Sequence, residues 1–368
     1  MPERVLTTRE LNRALLARQL LLERSRLPLH RALEQVAGLQ AQYAPSPYVA
    51  LWGRLEGFAL ADLTRALERR SAVQGTLMRT TIHIVSARDY GLFAAGTRSG
   101  RRDAWMRAGR RHLADVDIEA AAALVHDALG QDVKHRSELV ELLRPLDAGG
   151  GSTLWNVVGA WTDLVRVPPA GTWEHRRADL FATAEAWLGP VEASEEEGLA
   201  HLLRRYLGGF GPAPLADAAN WAGVAVGALR AAAQRLRLRR FRDGEGRELL
   251  DLPRASLPPS GAEAPPRFLP TWDATLLAHA RRTAILPESF RPLVFNTKTP
   301  HSLSTFLVDG AVAGAWRVER AAKKATLVLE PFERLPAGST APLREEAERL
   351  VRFVEADASA HSVRTRPG

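Results

Sequence analysis

Cysteine is absent from the 368 residues, which excludes a disulfide framework, a cysteine-ligated zinc or iron–sulfur centre and a thiol nucleophile together. No run of about 18 apolar residues is available to span a membrane, and the opening Met1–Glu10 lacks the apolar stretch of a secretory leader. The expectation is a cytoplasmic protein without membrane contact. Nucleotide and metal signals are missing too. Gly149-Gly150-Gly151-Ser152-Thr153 has no Gly-Lys-Ser/Thr ending, so it reads as a loop before a helix and not as a phosphate cradle. Asp115-Val116-Asp117 finds no further ligand at a useful spacing, which leaves Asp117 as a helix cap. Neither a metal nor a nucleotide cofactor is expected.

What the chain does have is globular material and positive charge. Hydrophobic residues make up 46% and charged residues 25%, the proportions of packed domains, and the length suits two or three of them. Lys and Arg number 50 against 42 acids, a formal charge of +8. Polyanions are the natural partners of such a surface. A GC-rich genome writes arginine liberally and explains part of the excess, so the placement of the arginines carries the argument.

Helix and strand signals divide the chain into 1–110, 111–192, 193–256 and 265–368, with the Pro- and Ser-rich Leu257–Pro266 as a linker. The third segment is the clearest. A helix with acids at its start and bases at its end runs from Glu195 to Leu207 and stops at Gly208-Gly209. Short helices over Leu215–Trp221 and Ala225–Leu236 flank Gly223, and strands over Leu236–Arg242 and Arg247–Leu252 enclose Asp243-Gly244-Glu245-Gly246. Helix, tight turn, helix and hairpin make a winged helix. The second segment repeats the plan with helices near 117–129, 137–143 and 152–164 and a wing from Val165. The first has helices near 8–23, 28–37 and 60–70 and closes with a strand, Met78–Val85. Beyond the linker, a helix over 274–280 and a hairpin through Asp309-Gly310 open a small β-rich unit. The expected fold class is mainly α with β wings (α+β): three tandem winged-helix modules plus a small C-terminal β-rich unit.

Four segments carry a family likeness: Leu11-Asn12-Arg13-Ala14-Leu15-Leu16-Ala17-Arg18-Gln19, Gly38-Leu39-Gln40-Ala41-Gln42, Met78-Arg79-Thr80-Thr81-Ile82-His83 and Leu307 to Arg317. In order, and over essentially the whole chain, the sequence resembles the AlkZ/YcaQ-like winged-helix DNA glycosylases. The resemblance implies tandem winged helices and a β-rich C-terminal part around a basic channel for duplex DNA. It implies hydrolysis of the N-glycosidic bond of alkylated purines, chiefly N7-alkylguanine, including bulky adducts and interstrand cross-links, in DNA repair or antibiotic self-resistance. Gln40-Ala41-Gln42 has the Gln-x-Gln form of the motif that carries the chemistry in that family, which implies Gln40 and Gln42 as the catalytic pair.

Two glutamines suffice only for a particular substrate. Depurination ordinarily needs an acid for the leaving base or a carboxylate for the oxocarbenium-like sugar. An N7-alkylated guanine is already cationic and leaves as a neutral base, so what remains is to stabilise charge on the sugar and to place a water. Oriented amide carbonyls can do both. Residues two apart share a face only in extended chain. Gly38 can end the preceding helix, and Pro45 and Pro47 keep another from starting soon, so both glutamines are expected to converge.

Arg79 and His83 belong to a matched segment and are candidate linings of the DNA channel. Arg237, Arg239 and Arg240, with Arg235 and Arg242, concentrate charge on the third module's recognition helix and wing, where phosphate contacts would fall. Lys298, His301, Trp316 and Arg317 lie on or beside the C-terminal hairpin, and the resemblance implies that such a hairpin meets the minor groove. Glu34 and Asp62 sit on amphipathic helices as ordinary solvated acids. The expected partner is double-stranded DNA containing alkylated purines, bound by a monomer. A winged-helix transcriptional regulator without catalysis is the alternative, although regulators commonly pair one module per protomer to match a two-fold operator. A sensor that binds adducts without cutting is a third reading.

Overall fold

The computed structural model describes residues 3–109, 113, 115–146, 152–190, 192–296 and 301–366. The fold is α+β: helices packed on sheets of six, five, three and two strands.

The helices Glu195–Phe210, Leu215–Ala222 and Val226–Gln234 lead into the antiparallel strands Arg239–Asp243 and Glu248–Asp251. Ser194 opens the first of these helices with a capping box, its hydroxyl accepting from the Glu197 amide while the Glu197 carboxylate accepts from the Ser194 amide. The helix does not stop at Gly208-Gly209 but runs through both to Phe210. A Cβ at Gly209 would stand 3.2 Å from the Gln35 carbonyl, so close packing against the first module, and not a turn, accounts for that glycine. The chain's start joins this segment as well. Val5–Leu6 pairs in parallel with Arg239–Asp243, Val5 opposite Arg242.

The first two segments share one sheet. Its order is Leu39–Gln40, Ile82–Ser86, Ala72–Thr76, Leu164–Arg166, Leu180–Thr183 and Lys134–His135, with Gln74 opposite Arg166 at the seam. Behind it the long helix Ala87–Gly109 crosses Glu195–Phe210. There Gly96 and Gly198 touch backbone to backbone; a Cβ on Gly198 would lie 2.3 Å from the Gly96 nitrogen.

Several elements differ from expectation for identifiable reasons. The strand expected over Met78–Val85 begins only at Ile82, because Met78–Thr80 forms a 3₁₀ turn with Arg79 and Thr80 at positive φ (51° and 59°). Pro45 does not hold helix off. It starts the helix Pro45–Arg54, where its missing amide hydrogen costs nothing. The helix expected over 274–280 is one 3₁₀ turn, Ala274–Leu276. The C-terminal sheet runs Arg267–Leu269, Thr305–Val308, Ala311–Ala321, Lys324–Pro331 and Ala360–Thr365, covered by the helix Thr340–Val354. Asp309-Gly310 makes its hairpin turn with both residues at positive φ, 47° and 81°. A small hairpin, Phe295–Asn296 with His301–Ser302, was not legible in sequence.

Arginines of the first segment tie these parts together. Arg54 forks onto Asp273 at 3.0 and 2.8 Å, and Arg18 onto Asp251 at 2.7 and 3.0 Å; all four side chains are buried. The linker is pinned to the helix Thr8–Arg18, with Arg9 donating to the Ser260 carbonyl and Arg13 to that of Ala262. Asp273→Ala would strand the Arg54 guanidinium in the interior, for which about 3–5 kcal/mol of stability is the usual loss. Urea unfolding should show a lower midpoint with an unchanged slope, and a midpoint equal to wild type would refute this role.

Candidate active site and nucleic-acid interface

The Gln-x-Gln segment is delivered by a tight exit from the helix Leu29–Gln35. Gly38 takes φ 81° and donates to the Leu33 carbonyl at 2.8 Å, and a Cβ there would meet Val85 Cγ1 at 2.7 Å. Glycine is required on both counts. Leu39–Gln40 then forms the edge strand of the six-stranded sheet, with Gln40 opposite His83.

Gln40 is buried, and its Oε1 accepts from Arg79 Nη2 at 3.1 Å. Arg79 also donates from Nη1 to the Trp221 carbonyl at 2.8 Å, and the Gly223 turn presses on its backbone, where a Cβ would lie 2.8 Å from the Arg79 nitrogen. The guanidinium is therefore enclosed between modules. Burial, reinforced by Arg282, lowers its pKa to about 10 and leaves it charged at neutral pH. Two adjacent non-glycine residues at positive φ, one of them β-branched, mark stored backbone strain of about 1–3 kcal/mol each.

His83 is 2% exposed. Burial and the Arg79 charge push its pKa down to about 3, and Nδ1 donates to the Thr81 carbonyl at 3.0 Å. It is a neutral imidazole in this fold and supplies no proton.

Gln42 is exposed and leaves the strand. After Ala41 donates to the Ile82 carbonyl at 2.7 Å, Gln42 Oε1 accepts from the Ile82 amide at 3.3 Å, in place of a ladder partner. Gln42 borders a cavity of about 440 Å³ whose floor is the sheet face carrying Gln74, Thr76 and Arg166. Arg136 and Arg176, with Trp105, Trp155 and Phe181, form its walls, and none of its lining residues is acidic. Pairing alternation puts Gln40 and His83 on the opposite face, so the single shared face expected for the two glutamines is not what forms. Gln40 turns to Arg79 on one face of the edge strand, whereas Gln42 borders the cavity on the other.

The remaining acids are engaged elsewhere. Glu34 is buried and paired with Arg31 and Arg205, and Asp62 caps the helix Leu60–Glu68 through the Ala59 amide. Of the surface cations, Arg237 is exposed and has no acidic partner among the described residues. Arg239 is half-buried and bonded to Asp251 and the Ala255 carbonyl, and Arg240 pairs with Glu248. Trp316 is half-buried, donating Nε1 to the Leu269 carbonyl and packing edge-on against Phe268. Arg317 is held by Glu319 and Glu330. Lys298 lies outside the described residues, and His301 pairs with Asn296 in the small hairpin.

A family model described as DNA glycosylase AlkZ-like matches residues 33–353. The chain belongs to the AlkZ-like DNA glycosylase family. It is therefore an enzyme acting on DNA and not the regulator weighed above. The solved structure of Streptomyces sahachiroi DNA glycosylase AlkZ has the same fold, with a TM-score of 0.79 at 20% identity over 99% of this chain and 100% of that one. No curated protein matches the sequence. Among the described residues no helix of this glycosylase is long and apolar enough to cross a membrane, and no cluster of potential metal ligands occurs.

Sequence reasoning missed the cavity residues of the second module, Arg136, Arg166 and Arg176, and also Gln74. Each looks ordinary locally, and only the seam between the two modules brings them beside Gln42.

Two outcomes follow from this geometry. Arg237→Glu should flatten the salt dependence of binding to undamaged duplex by about 0.9 in the slope of log K against log salt if Arg237 meets a phosphate. Arg239→Ala should chiefly lower stability, because Asp251 loses a partner. Titrating both variants between low and physiological salt separates the two roles. His83 has a folded pKa far below its unfolded value, so its contribution to stability is complete above about pH 6.5 and declines as pH falls toward 3. His83→Gln should weaken the stability loss between pH 6.5 and 4, read from denaturation midpoints; an unchanged profile would exclude His83 as its source.

Proposed function

We propose that this glycosylase hydrolyses the N-glycosidic bond of cationic alkylated purines, N7-alkylguanine foremost, with Gln40 and Gln42 as the catalytic pair. The observation that carries the reading is that the cavity bordered by Gln42 has no carboxylate in its lining. Such a site cannot protonate a leaving base, and a base that already carries its charge needs no proton. Its task is to stabilise the charge that moves onto the deoxyribose and to hold a water in place.

The environments of the two amides divide these roles. The Gln40 carbonyl lies against the Arg79 cation, which opposes a second positive charge beside it, whereas the Gln42 carbonyl is bonded by a neutral backbone amide. Gln42 is thus the better acceptor toward the sugar and Gln40 the better holder of water. Because Leu39–Gln40 is an edge strand, a sugar lying along that edge can meet side chains from both faces. Lys298, His301 and Arg237, which follows the helix Val226–Gln234, are the proposed groove and phosphate contacts. Trp316 and Arg317 brace the C-terminal sheet, while Arg79 and His83 support the motif from beneath. The enzyme is proposed to act as a cytoplasmic monomer on double-stranded DNA, in base excision repair or as protection against a DNA-alkylating metabolite.

Strand cleavage by alkali after incubation detects the abasic product. N7-methylguanine duplex should be cut and uracil duplex left intact. Gln42→Ala should lose about 10²–10³ in rate at a stability cost below about 1 kcal/mol, while Gln42→Asp, which puts a carboxylate beside the developing cation, should keep substantial activity. Gln40→Ala is the less clean variant, since it strips Arg79 of a buried partner at a cost of about 1–3 kcal/mol. Efficient uracil release, or full activity in Gln42→Ala, would falsify the mechanism. Binding without any abasic product would leave a damage sensor.

A further inference from the structure

We propose that Tyr43 enters the base stack beside the lesion and stacks there on the neighbouring base, holding the damaged nucleotide at Gln42. This rests on the reading of Gln42 as the residue that meets the sugar, and adds a substrate-positioning residue to it. Among nine tryptophans, eleven phenylalanines and four tyrosines, Tyr43 alone is exposed, at 47%. The other tyrosines, Tyr48, Tyr90 and Tyr206, are buried. A ring left in water by a fold that covers all the rest, on the residue that follows Gln42, is placed for a partner and not for the core.

The loop between the edge strand Leu39–Gln40 and the helix Pro45–Arg54 buries Ala41 and Ala44 and leaves Gln42 and Tyr43 exposed. The Tyr43 carbonyl accepts from the Ser46 amide at 2.9 Å, so the ring is carried by the entry to a buried helix and not by a free loop. Its hydroxyl accepts from Arg176 Nη1 at 3.4 Å, and Arg176 itself lies over Trp173 at 5.9 Å. The guanidinium therefore steadies the ring at its polar tip. Neighbouring Tyr48 pairs edge-on with Trp173, whereas Tyr43 pairs with no ring among the described residues. A free aromatic face suits any base, because every base has a π face. Successive Cα atoms stand about 3.8 Å apart and successive bases of one strand about 3.4 Å. A ring one residue beyond Gln42 thus reaches the base step next to the sugar that Gln42 meets. Drawing a nucleotide toward the site breaks its stacking, at least cost for a damaged base, and an inserted side chain that packs on the neighbour offsets the loss.

Three duplexes test this: one with a single N7-methylguanine for release, one with a tetrahydrofuran abasic analogue for binding, and the same sequence undamaged. Tyr43→Ala should bind the analogue about 5- to 150-fold more weakly, the usual range for losing one ring beneath a base, and release N7-methylguanine about tenfold more slowly at limiting enzyme. Its affinity for undamaged duplex and its melting temperature should stay at wild type, since an exposed ring carries little of the fold. Tyr43→Phe keeps the ring and drops only the bond to Arg176, and should match wild type throughout. Wild-type affinity for the analogue in Tyr43→Ala overturns the proposal. So does an equal loss in Tyr43→Phe, because the hydroxyl is then what matters, and so does an equal loss on undamaged duplex, because the ring then makes a general contact. Should the wild-type enzyme release no N7-methylguanine, the substrate reading fails, while the binding comparison still decides whether Tyr43 stacks at a lesion.

Discussion

Two arginine–aspartate pairs shut off from solvent, Arg18–Asp251 and Arg54–Asp273, hold the remaining parts of this glycosylase in register. Each bond is a bidentate fork, and each arginine has a further acceptor: the Leu207 carbonyl for Arg18, the Ala50 carbonyl and Thr275 hydroxyl for Arg54. Removing two charges from water is tolerable only when the pair's geometry is close and further acceptors surround it, so these contacts tolerate little displacement. They fix the third module and the C-terminal sheet against the first, although the partners are 233 and 219 residues apart in sequence. The placement of the Gln-x-Gln strand inherits that rigidity. Its supporting cation, Arg79, takes its second acceptor, the Trp221 carbonyl, from the third module, and a module free to swing could not keep that contact.

Strain at Arg79 and Thr80 belongs to the same design. A relaxed strand over Met78–Val85 would alternate its side chains along the sheet and carry Arg79 away from the edge. The 3₁₀ turn at positive φ lifts the guanidinium to the Gln40 carbonyl, and the close approach of Gly223 leaves no room for it to relax. Glutamine side chains are flexible and can turn their amides over. Here one amide is oriented by a fixed cation and the other by a backbone N–H, so both carbonyls point where neighbours that do not themselves move have set them.

What could be read from sequence divides along locality. The helix cap at Asp117, the Gly223 turn and the Asp309-Gly310 hairpin are set by residues within a few positions of one another, and all of them form as expected. The Gln-x-Gln segment was identifiable because four distant stretches resembled one family in order. Lost from view were the contacts made across modules. The parallel pairing of Val5–Leu6 with Arg239–Asp243 and the seam at Gln74 and Arg166 leave no periodic trace, because a two- or three-residue strand is too short to show one. Glycine misled where it served packing instead of turning: Gly208 and Gly209 read as a stop and lie within a helix. Arg79 misled through its charge, since a cation in a DNA-binding protein suggests phosphate, and only its bonds to the Trp221 carbonyl and Gln40 show that it faces inward.

The charge of the cavity bears on the proposed preference for cationic lesions. Arg136, Arg166 and Arg176 line it with no acid among the lining residues, and burial lowers the Arg166 pKa only to about 10, so it stays charged at neutral pH. A cationic purine whose sugar meets Gln42, as proposed, is opposed by each guanidinium. At an effective dielectric of about 20, two unit charges roughly 7 Å apart repel by about 2 kcal/mol. Bond cleavage removes that opposition, because the base departs neutral while the positive charge passes to the sugar at the rim, beside the Gln42 carbonyl. The arginines therefore act against the ground state more than against the transition state, and that difference is what accelerates a reaction. The same field gives no such help to a neutral purine, which carries no charge into the cavity and would have to leave as an anion or acquire a proton that no lining residue is placed to give. The proposed selection for a charged lesion rests on the electrostatics of the pocket together with the chemistry of the amides.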